Sequence, residues 1–397
     1  MQSFISVPFV SELDFIFDAF PAQPAVFALH LQGVQGGASP PYLGRTQDLR
    51  RRLARLLRPA GALTKLLNLR ELTTRISYQV VGSQLEALWW LYRLNREHYP
   101  RTYRHRLRLR SPVLLKVNLR NRFPRCYPTR RIADDGSLYY GPFISRPSAE
   151  RFASTFLDLF KMRRCVEDLD PNPSHPGCIY SQMHMCLAPC FAGCTDQEYQ
   201  QEVENVVASL DADGGPKGLL VSFEAARARA SELQEFEEAA RIHRRVEKLQ
   251  EVTRLWPDIV RNLSELNAIV IERGAAPKCV VFFRIQAGEI RGPVSLSLDE
   301  NVAAPAPLDE QLHALLDPLA AYALPEVSAG AQSADGRTPL QRVQKGSPAS
   351  AMPLWEHLSL LARWYYSSFR TGEILMLGPK AEIPHKRLIR LCRKLVS

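Results

Sequence analysis

Residues 25–57 read AVFALHLQGVQGGASPPYLGRTQDLRRRLARLL, and this stretch decides how the first part of the chain folds. Its first seven residues have the β-branched and aromatic enrichment of a short strand. A Gly- and Pro-rich stretch, 33–41, separates that strand from a second short strand around Tyr42. From Gln47 to Leu57 the leucines recur at helical spacing with arginines around the rest, which predicts an amphipathic helix.

The next 40 residues extend this pattern. ISYQVV at 76–81 predicts a third strand, and the leucines and aromatics from Gln84 to Glu97 recur at helical spacing. The order strand, strand, helix, strand, helix predicts a small α+β unit of about 80 residues, with helices covering one sheet.

Charge is distributed unevenly along the 397 residues. The net charge is +10, but Arg45 to Arg131 alone holds 22 Lys and Arg against four Asp and Glu, a local charge of +18. Such a block is typical of a nucleic-acid surface, since each phosphate contact releases condensed counterions. A well-solvated surface or a basic protein–protein face is the alternative. The candidate DNA contacts are Arg50, Arg51, Arg55, Arg104, Arg106 and Arg108.

The sequence predicts an α+β multidomain protein in the cytoplasm. The N-terminus has no secretory pattern, and no stretch approaches the roughly 18 to 20 apolar residues that cross a bilayer. A Gly-rich break at 213–218 precedes two helical runs, 219–233 and 235–254, which predict an antiparallel hairpin. After the hairpin, the sequence predicts a β-meander from 267 and an Ala- and Ser-rich loop at 326–353. It then predicts a helix at 354–370, a strand at 374–377 and a basic helix at 385–395. The domain boundaries we predict are 1–104, 105–214, 215–256 and 257–397.

Four cysteines fall within 26 residues, spaced C-x12-C-x7-C-x3-C. Four thiolates on a loop can close a tetrahedral zinc site or hold an iron–sulfur cluster. Buried free thiols or disulfides are the alternative, which a reducing compartment disfavours. The candidate ligands are Cys165, Cys178, Cys186 and Cys190.

The segments P-A-V-F at 24–27 and Y-L-G-R-T-x-D-L-x-x-R at 42–52 resemble the GIY-YIG endonucleases, in particular the N-terminal domain of the UvrC family of bacterial excinuclease proteins. That resemblance implies metal-dependent phosphodiester hydrolysis with Mg²⁺ or Mn²⁺. Tyr42 matches the catalytic tyrosine, Arg52 the catalytic arginine and Arg45 the phosphate-side lysine of the family.

This sequence departs from the family at the metal-binding position. The E-A-L-L-L-E run of the family is E-A-L-W-W-L here, with Leu91 in place of the ligating glutamate. Glu86 and Glu97 are displaced from Leu91 by roughly 140° and 120° around the helix, so neither is an obvious substitute. Ala25 and Phe27 also replace the family glycine and tyrosine of the first strand. We therefore expect the fold to be retained and the incision activity to be weakened or absent.

The cysteine segment resembles the same family. Y-Y-G-P-F at 139–143, R-R-C, P-G-C-I-Y, M-C-L-A-P-C and then Glu198-Tyr199 all match it. The resemblance implies that the four cysteines hold a 4Fe–4S cluster, although their spacing does not separate iron–sulfur from zinc.

The second helix of the hairpin carries L-x-x-F-E-x-A-A at 233–240, which resembles the UVR motif. That resemblance implies binding to a similar hairpin of a UvrB-like helicase, with Phe236, Glu237, Ala240 and Leu249 as the contacts. His243-Arg244 stands where the family has Arg-Asp, and an ordinary helix packing on its own domain is the alternative.

Residues 267–298 and 354–377 resemble the segment that joins this hairpin to the second nuclease domain of the family, and that domain and the helix–hairpin–helix domain have no counterpart in the sequence. Two functions follow from the resemblance. One is a short repair endonuclease that makes a single incision; the other is a non-catalytic DNA-binding adaptor of a UvrB-like helicase. A module that binds structured RNA is a third alternative, because a basic face does not distinguish nucleic acids.

Overall fold

The computed structural model describes residues 4–10, 17–32, 38–58, 69–299, 307–320, 353–378 and 380–396. In these ranges it contains three antiparallel sheets of four strands each, with helices packed on them. The predicted α+β class is confirmed. The predicted loop at 326–353 lies outside the described residues except for its last position.

The N-terminal sheet has the strand order β1-β4-β2-β3. Asp48 and Ser83 cap the two long helices of this unit, since their side chains accept the backbone N–H of Arg51 and Glu86 respectively. The predicted strand and helix order is observed, and β1 and α2 are additional. The elements are β1 (Ile5–Pro8), β2 (Ala25–Gln32), β3 (Ala38–Thr46), α1 (Leu49–Leu56), α2 (Leu69–Leu72), β4 (Thr73–Val80) and α3 (Gln84–His98).

The middle of the chain contains a second sheet, which the sequence patterns did not predict. Its strand order is β6-β5-β7-β8. The strand β5 reads VLLKV and is buried along its whole length, and Lys116 pairs there with Asp135. The elements are α4 (Tyr103–Arg106), β5 (Val113–Val117), β6 (Cys126–Thr129), β7 (Leu138–Phe143), α5 (Arg146–Leu157), α6 (Ile179–Gln182) and α7 (Asp196–Asp211).

The predicted hairpin consists of α8 (Pro216–Glu232) and α9 (Phe236–Arg254). After it, β8 (Arg261–Asn262) completes the second sheet. The predicted meander is observed in a third sheet, of order β11-β10-β9-β12. Its elements and neighbouring helices are β9 (Ala268–Arg273), β10 (Cys279–Gln286), β11 (Glu289–Ser297), α10 (Leu308–Ala320), α11 (Leu354–Tyr365), β12 (Glu373–Met376) and α12 (His385–Val396). The helix predicted at 354–370 ends earlier, at Tyr365.

Helix α3 packs on both sides. One side contacts the N-terminal sheet through an apolar cluster that includes Val26, Val81 and Ala87. The other side enters the main core of the molecule, where the ring of Trp89 lies 6.2 Å from that of Phe283. The backbones of the two units also meet closely, because a Cβ on Gly82 would lie 2.1 Å from the carbonyl carbon of Gly274.

Buried carboxylates accompany this packing. Glu356 on α11 accepts hydrogen bonds from Tyr92, from Tyr103 at 2.7 Å and from Arg104 at 2.7 Å. Glu86 accepts the backbone N–H of Gly82 at 2.9 Å. A second set of hydrogen bonds joins β9 to the end of α11 and the segment after it, where Glu272 accepts from Trp364 and Thr371. The interface therefore contains hydrogen-bonded acids as well as apolar side chains.

Burial raises the pKa of Glu86 to about 7, and the neighbouring negative charge of Glu272 contributes to that increase. Burial likewise raises the pKa of Glu272 to about 7. Because the unfolded chain releases these protons near the ordinary glutamate pKa, the folded state binds more protons between that value and pH 7. The free energy of unfolding contributed by these groups therefore decreases as pH rises through this range, and the loss is complete above it.

Replacing Glu86 with Gln should remove the part of this pH-dependent decrease in unfolding free energy that comes from Glu86. The glutamine keeps an oxygen that can accept the Gly82 N–H. We expect Glu86→Gln to be about 1 to 3 kcal/mol more stable than the wild type at pH 8 and similar to it at pH 5. Urea unfolding at the two pH values measures the difference. Glu97→Gln, an exposed acid on the same helix, is the control and should change neither value. Parallel pH profiles for wild type and Glu86→Gln would contradict the prediction.

Candidate functional site

Tyr42 and Arg52 converge on one side of the N-terminal sheet. Tyr42 lies on β3 and Arg52 on α1, and Nη2 of Arg52 is 3.4 Å from the Tyr42 hydroxyl oxygen. Nε of Arg52 is buried and has no hydrogen-bond partner within the described residues. A guanidinium beside a phenol is suited to contact an anion such as a phosphate.

Phe27 and Gly44 lie next to Tyr42 on the same face of the sheet. The two residues are paired across β2 and β3, and a Cβ on Gly44 would lie 2.7 Å from Cζ of Phe27. The Phe27 and Tyr42 rings are 6.2 Å apart between centroids. The phenylalanine that replaces the family tyrosine therefore fills space against the glycine and beside Tyr42, and it supplies no hydroxyl.

Arg45 lies on the opposite face. Arg45 pairs with Val26, which packs toward α3, whereas Tyr42 pairs with Leu29, which packs toward α1. Directly paired residues of antiparallel strands share a face of the sheet. Of the three residues that match catalytic positions of the family, the structure thus brings Tyr42 and Arg52 together and places Arg45 on the opposite face of the sheet.

Leu91 makes apolar contacts and no polar ones through its side chain. It is partly buried and packs against both the Val26 cluster and the main core. Glu86 faces Gly82, and Glu97 is exposed in the last turn of α3. Across the described ranges, no group of three or more His, Cys, Asp or Glu side chains is positioned to hold a metal ion. The described side chains around Tyr42 and Arg52 therefore do not fit a divalent cation, which prefers oxygen ligands.

The six arginines predicted to contact DNA divide into two groups. Five of the six, Arg51, Arg55, Arg104, Arg106 and Arg108, are exposed, and Arg50 is half-buried. The groups differ in their contacts, because Arg50, Arg104 and Arg106 also bind other residues of the protein. Arg50 donates to the carbonyl oxygens of Phe20 and Asp18, Arg104 pairs with Glu356, and Arg106 donates to Asn95 and lies over the Tyr99 ring.

The four cysteines lie on the segment between α5 and α7. Burial raises the pKa of Cys186 to about 11, and negative charge on the other three thiols contributes to this increase. The backbone N–H of Ala188 points at Sγ of Cys186 at 3.3 Å. Cys190 lies in a 3₁₀ turn whose two flanking alanines adopt the left-handed conformation. All eight cysteines of the chain are free thiols.

Arg163 lies beside these cysteines, and nothing in the sequence pattern predicts a role for it. Its side chain is buried, with Nη1 placed 3.4 Å from Sγ of Cys165 and Nε donating to the carbonyl oxygen of Phe123 at 2.9 Å. Four thiols with a guanidinium and an N–H donor beside them are the donor chemistry that an anionic thiolate cluster requires. The sulfurs do not have the closed arrangement of a metal-binding group in this structure.

The hairpin exposes one end and buries the other. The Phe236 side chain is 70% exposed, and it lies in a groove with Glu237 and Ala240. Leu249 is only 1% exposed, so it belongs to the interior of the protein and not to the surface that a partner would meet. Three of the four predicted partner contacts therefore share one accessible surface.

Comparisons with known proteins agree with the resemblance seen in the sequence. Residues 113–209 match the family model described as the UvrC/Cho excinuclease, middle domain. The chain is 29% identical over 226 residues to the UvrABC system protein C of Trichlorobacter lovleyi, covering 56% of this chain and 36% of that protein. The corresponding protein of Methanothermobacter thermautotrophicus is 28% identical over 286 residues, 72% of this chain and 46% of the relative. The corresponding protein of Proteus mirabilis is 28% identical over 293 residues, which cover 71% of this chain and 46% of that protein.

The matched part thus spans less than half the length of each of these relatives. No solved structure matches the chain. No helix within the described ranges is long and apolar enough to span a bilayer. The predicted resemblance to UvrC-like proteins is confirmed.

Proposed function

We propose that this UvrC-like chain is a nucleotide-excision-repair protein that binds damaged DNA through its N-terminal unit, and that its GIY-YIG-type endonuclease site is degenerate. One observation carries the proposal. The Tyr42 and Arg52 side chains remain 3.4 Å apart, while Leu91 packs among apolar side chains at the position where the family has its metal ligand.

The chemistry of the retained pair favours binding over cutting. A guanidinium stabilises negative charge on a phosphate, so Arg52 can hold the DNA backbone. Hydrolysis of a phosphodiester also needs an activated water, which a bound divalent metal supplies in this family. The described side chains around Tyr42 and Arg52 do not fit such an ion, so they supply no metal-activated water.

The exposed arginines beside the pair extend the proposed DNA contact. Arg51 and Arg55 are four residues apart on α1, so they lie on one side of that helix next to Arg52. Their guanidinium groups are exposed and can reach successive phosphates. This spacing supports sequence-independent contact with the backbone.

Removing the two charges should weaken DNA binding and its salt dependence together. For Arg51→Gln/Arg55→Gln we expect a lower affinity for a lesion-bearing duplex, and a slope of log affinity against log salt smaller by about 1.8, since each lost phosphate contact contributes about 0.9. Fluorescence anisotropy without divalent metal, over a salt series, measures both. Arg229→Gln/Arg254→Gln, which removes two exposed charges from the hairpin, is the matched control. An unchanged slope, or a preference for structured RNA over the duplex, would contradict the proposal.

We also propose that Cys165, Cys178, Cys186 and Cys190 hold a 4Fe–4S cluster, with Zn²⁺ as the alternative. It is supported by the electrostatic effect of the other three thiols on Cys186 and by the N–H donors next to the sulfurs of Cys165 and Cys186. When bound, such a cluster supplies redox or structural chemistry. The contribution of this chain is to hold the thiolates and to offset their charge with Arg163.

Anaerobically purified protein should be brown, absorb visible light and contain about four iron atoms per chain. Cys190→Ser should lose most of the iron and the visible absorption, because one of the four thiolates is gone. Cys279→Ser, outside the group, should keep both. Stoichiometric zinc without iron in the wild type would contradict the iron–sulfur assignment.

The exposed end of the hairpin supports a third proposal, that Phe236, Glu237 and Ala240 bind the helical hairpin of a UvrB-like helicase. A large exposed aromatic next to acidic side chains is typical of an interface anchor with a polar rim. Glu238 is already paired with Arg241 at 2.7 Å, so it is committed within its own helix.

Replacing Phe236 with Ala should weaken binding to a UvrB-like hairpin by about tenfold or more, since a buried aromatic anchor typically contributes about 2 kcal/mol or more. Isothermal titration calorimetry measures it. Because Phe236 is exposed, the melting temperature should not change. Val221→Ala, an equally exposed residue on α8, is the control. Equal affinities for wild type and Phe236→Ala would exclude this surface.

A further inference from the structure

A cleft of about 580 Å³ lies between the N-terminal sheet and the segment that follows α11. Its lining includes Arg45 and Thr46 from β3, Gln84 from α3, and Phe369 and Thr371 from that segment. No acidic side chain lines it among the described residues. The volume is in the range of about 300 to 1,000 Å³ that small-ligand sites occupy.

Phe369 is the most exposed large apolar side chain that the structure describes, at 80%. Its ring contacts no other aromatic ring within the described ranges. The loop that carries it is nevertheless fixed at both ends. Ser367 is hydrogen-bonded to Gln84 at 3.2 Å, and Thr371 donates to Glu272 at 3.2 Å. An aromatic ring is therefore held facing solvent beside the cleft.

Arg45 carries an uncompensated charge in the same cleft. Its guanidinium makes no hydrogen bond or ion pair to any residue that the structure describes. A second guanidinium is close, since burial and the positive charge of Arg45 together lower the pKa of Arg363. Arg363 donates to the carbonyl oxygens of Leu107 and Arg108, at 3.1 and 2.8 Å, so no acid neutralises it there. An anion beside Arg45 would relieve this repulsion.

We propose that the cleft binds one unpaired nucleotide of a DNA strand, with its base stacked on Phe369 and its phosphate paired with Arg45. The inference rests on the proposed DNA-binding function and adds single-stranded DNA as the bound form. Stacking on an aromatic ring combined with a cation for the backbone is how proteins hold unpaired strands, and it is tolerant of sequence because every base has a π face. A base paired within a duplex cannot offer that face.

The test compares a fluorescent oligothymidylate with a blunt duplex by anisotropy, using the full chain. We expect Phe369→Ala to weaken single-strand binding by about tenfold, within the range of measured stacking contributions, and Phe369→Trp to retain it. Duplex affinity should change less than about twofold. Arg45→Gln should reduce the salt slope for the single strand by about 0.7. Ile144→Ala and Arg229→Gln, exposed residues elsewhere, are the matched controls.

Several results would overturn this inference. The first is an unchanged single-strand affinity in Phe369→Ala, and the second is a loss of duplex affinity in Phe369→Ala as large as the loss of single-strand affinity. The third is that the wild type binds an oligoribonucleotide more tightly than the oligothymidylate. The fourth is that it binds free thymidine monophosphate as tightly as the oligothymidylate. If the wild type binds neither DNA, the proposed function itself fails. If it binds the duplex and Phe369→Ala behaves as wild type on the single strand, only the cleft assignment fails.

Discussion

Helix α3 is buried on two sides, and this double burial holds the N-terminal sheet against the main core. The helix covers one face of the N-terminal sheet and at the same time enters the main core, where Trp89 meets Phe283 and Tyr92 meets Glu356. A helix that is apolar on most sides must be buried on most sides. Its position therefore joins the first and last thirds of the described chain into one packed body.

This packing also accounts for the chemistry that α3 lacks. A carboxylate at position 91 would have to ionise next to the apolar side chains against which the partly buried Leu91 packs, and loss of solvent contact opposes ionisation. The one acid buried on this helix, Glu86, is turned toward Gly82 and has a pKa raised to about 7. The helix contributes to the stability of the fold, whereas Tyr42 and Arg52 on the far side of the sheet keep the means to contact a phosphate.

The local sequence pattern predicted much of the fold but less of the candidate functional site. The strand at 25–31 and the helix at 84–97 are observed within one residue, because period and burial agree there. The sheet built on β5 was missed because VLLKV is buried on both faces and so lacks the alternation of a half-exposed strand. The roles of Arg104 and Arg45 could not be predicted either. Glu356, the partner of Arg104, lies 252 residues away, and the face that Arg45 occupies follows from the register with Val26.

We propose that this protein has kept a surface for binding DNA and has lost the means of cutting it. Both parts can be tested by incubating the full chain with a lesion-bearing duplex, UvrA, UvrB and Mg²⁺ or Mn²⁺ and measuring binding and incision. We expect a bound but uncut duplex. A single cut on one side of the lesion that disappears in Tyr42→Phe or Arg52→Ala would contradict it.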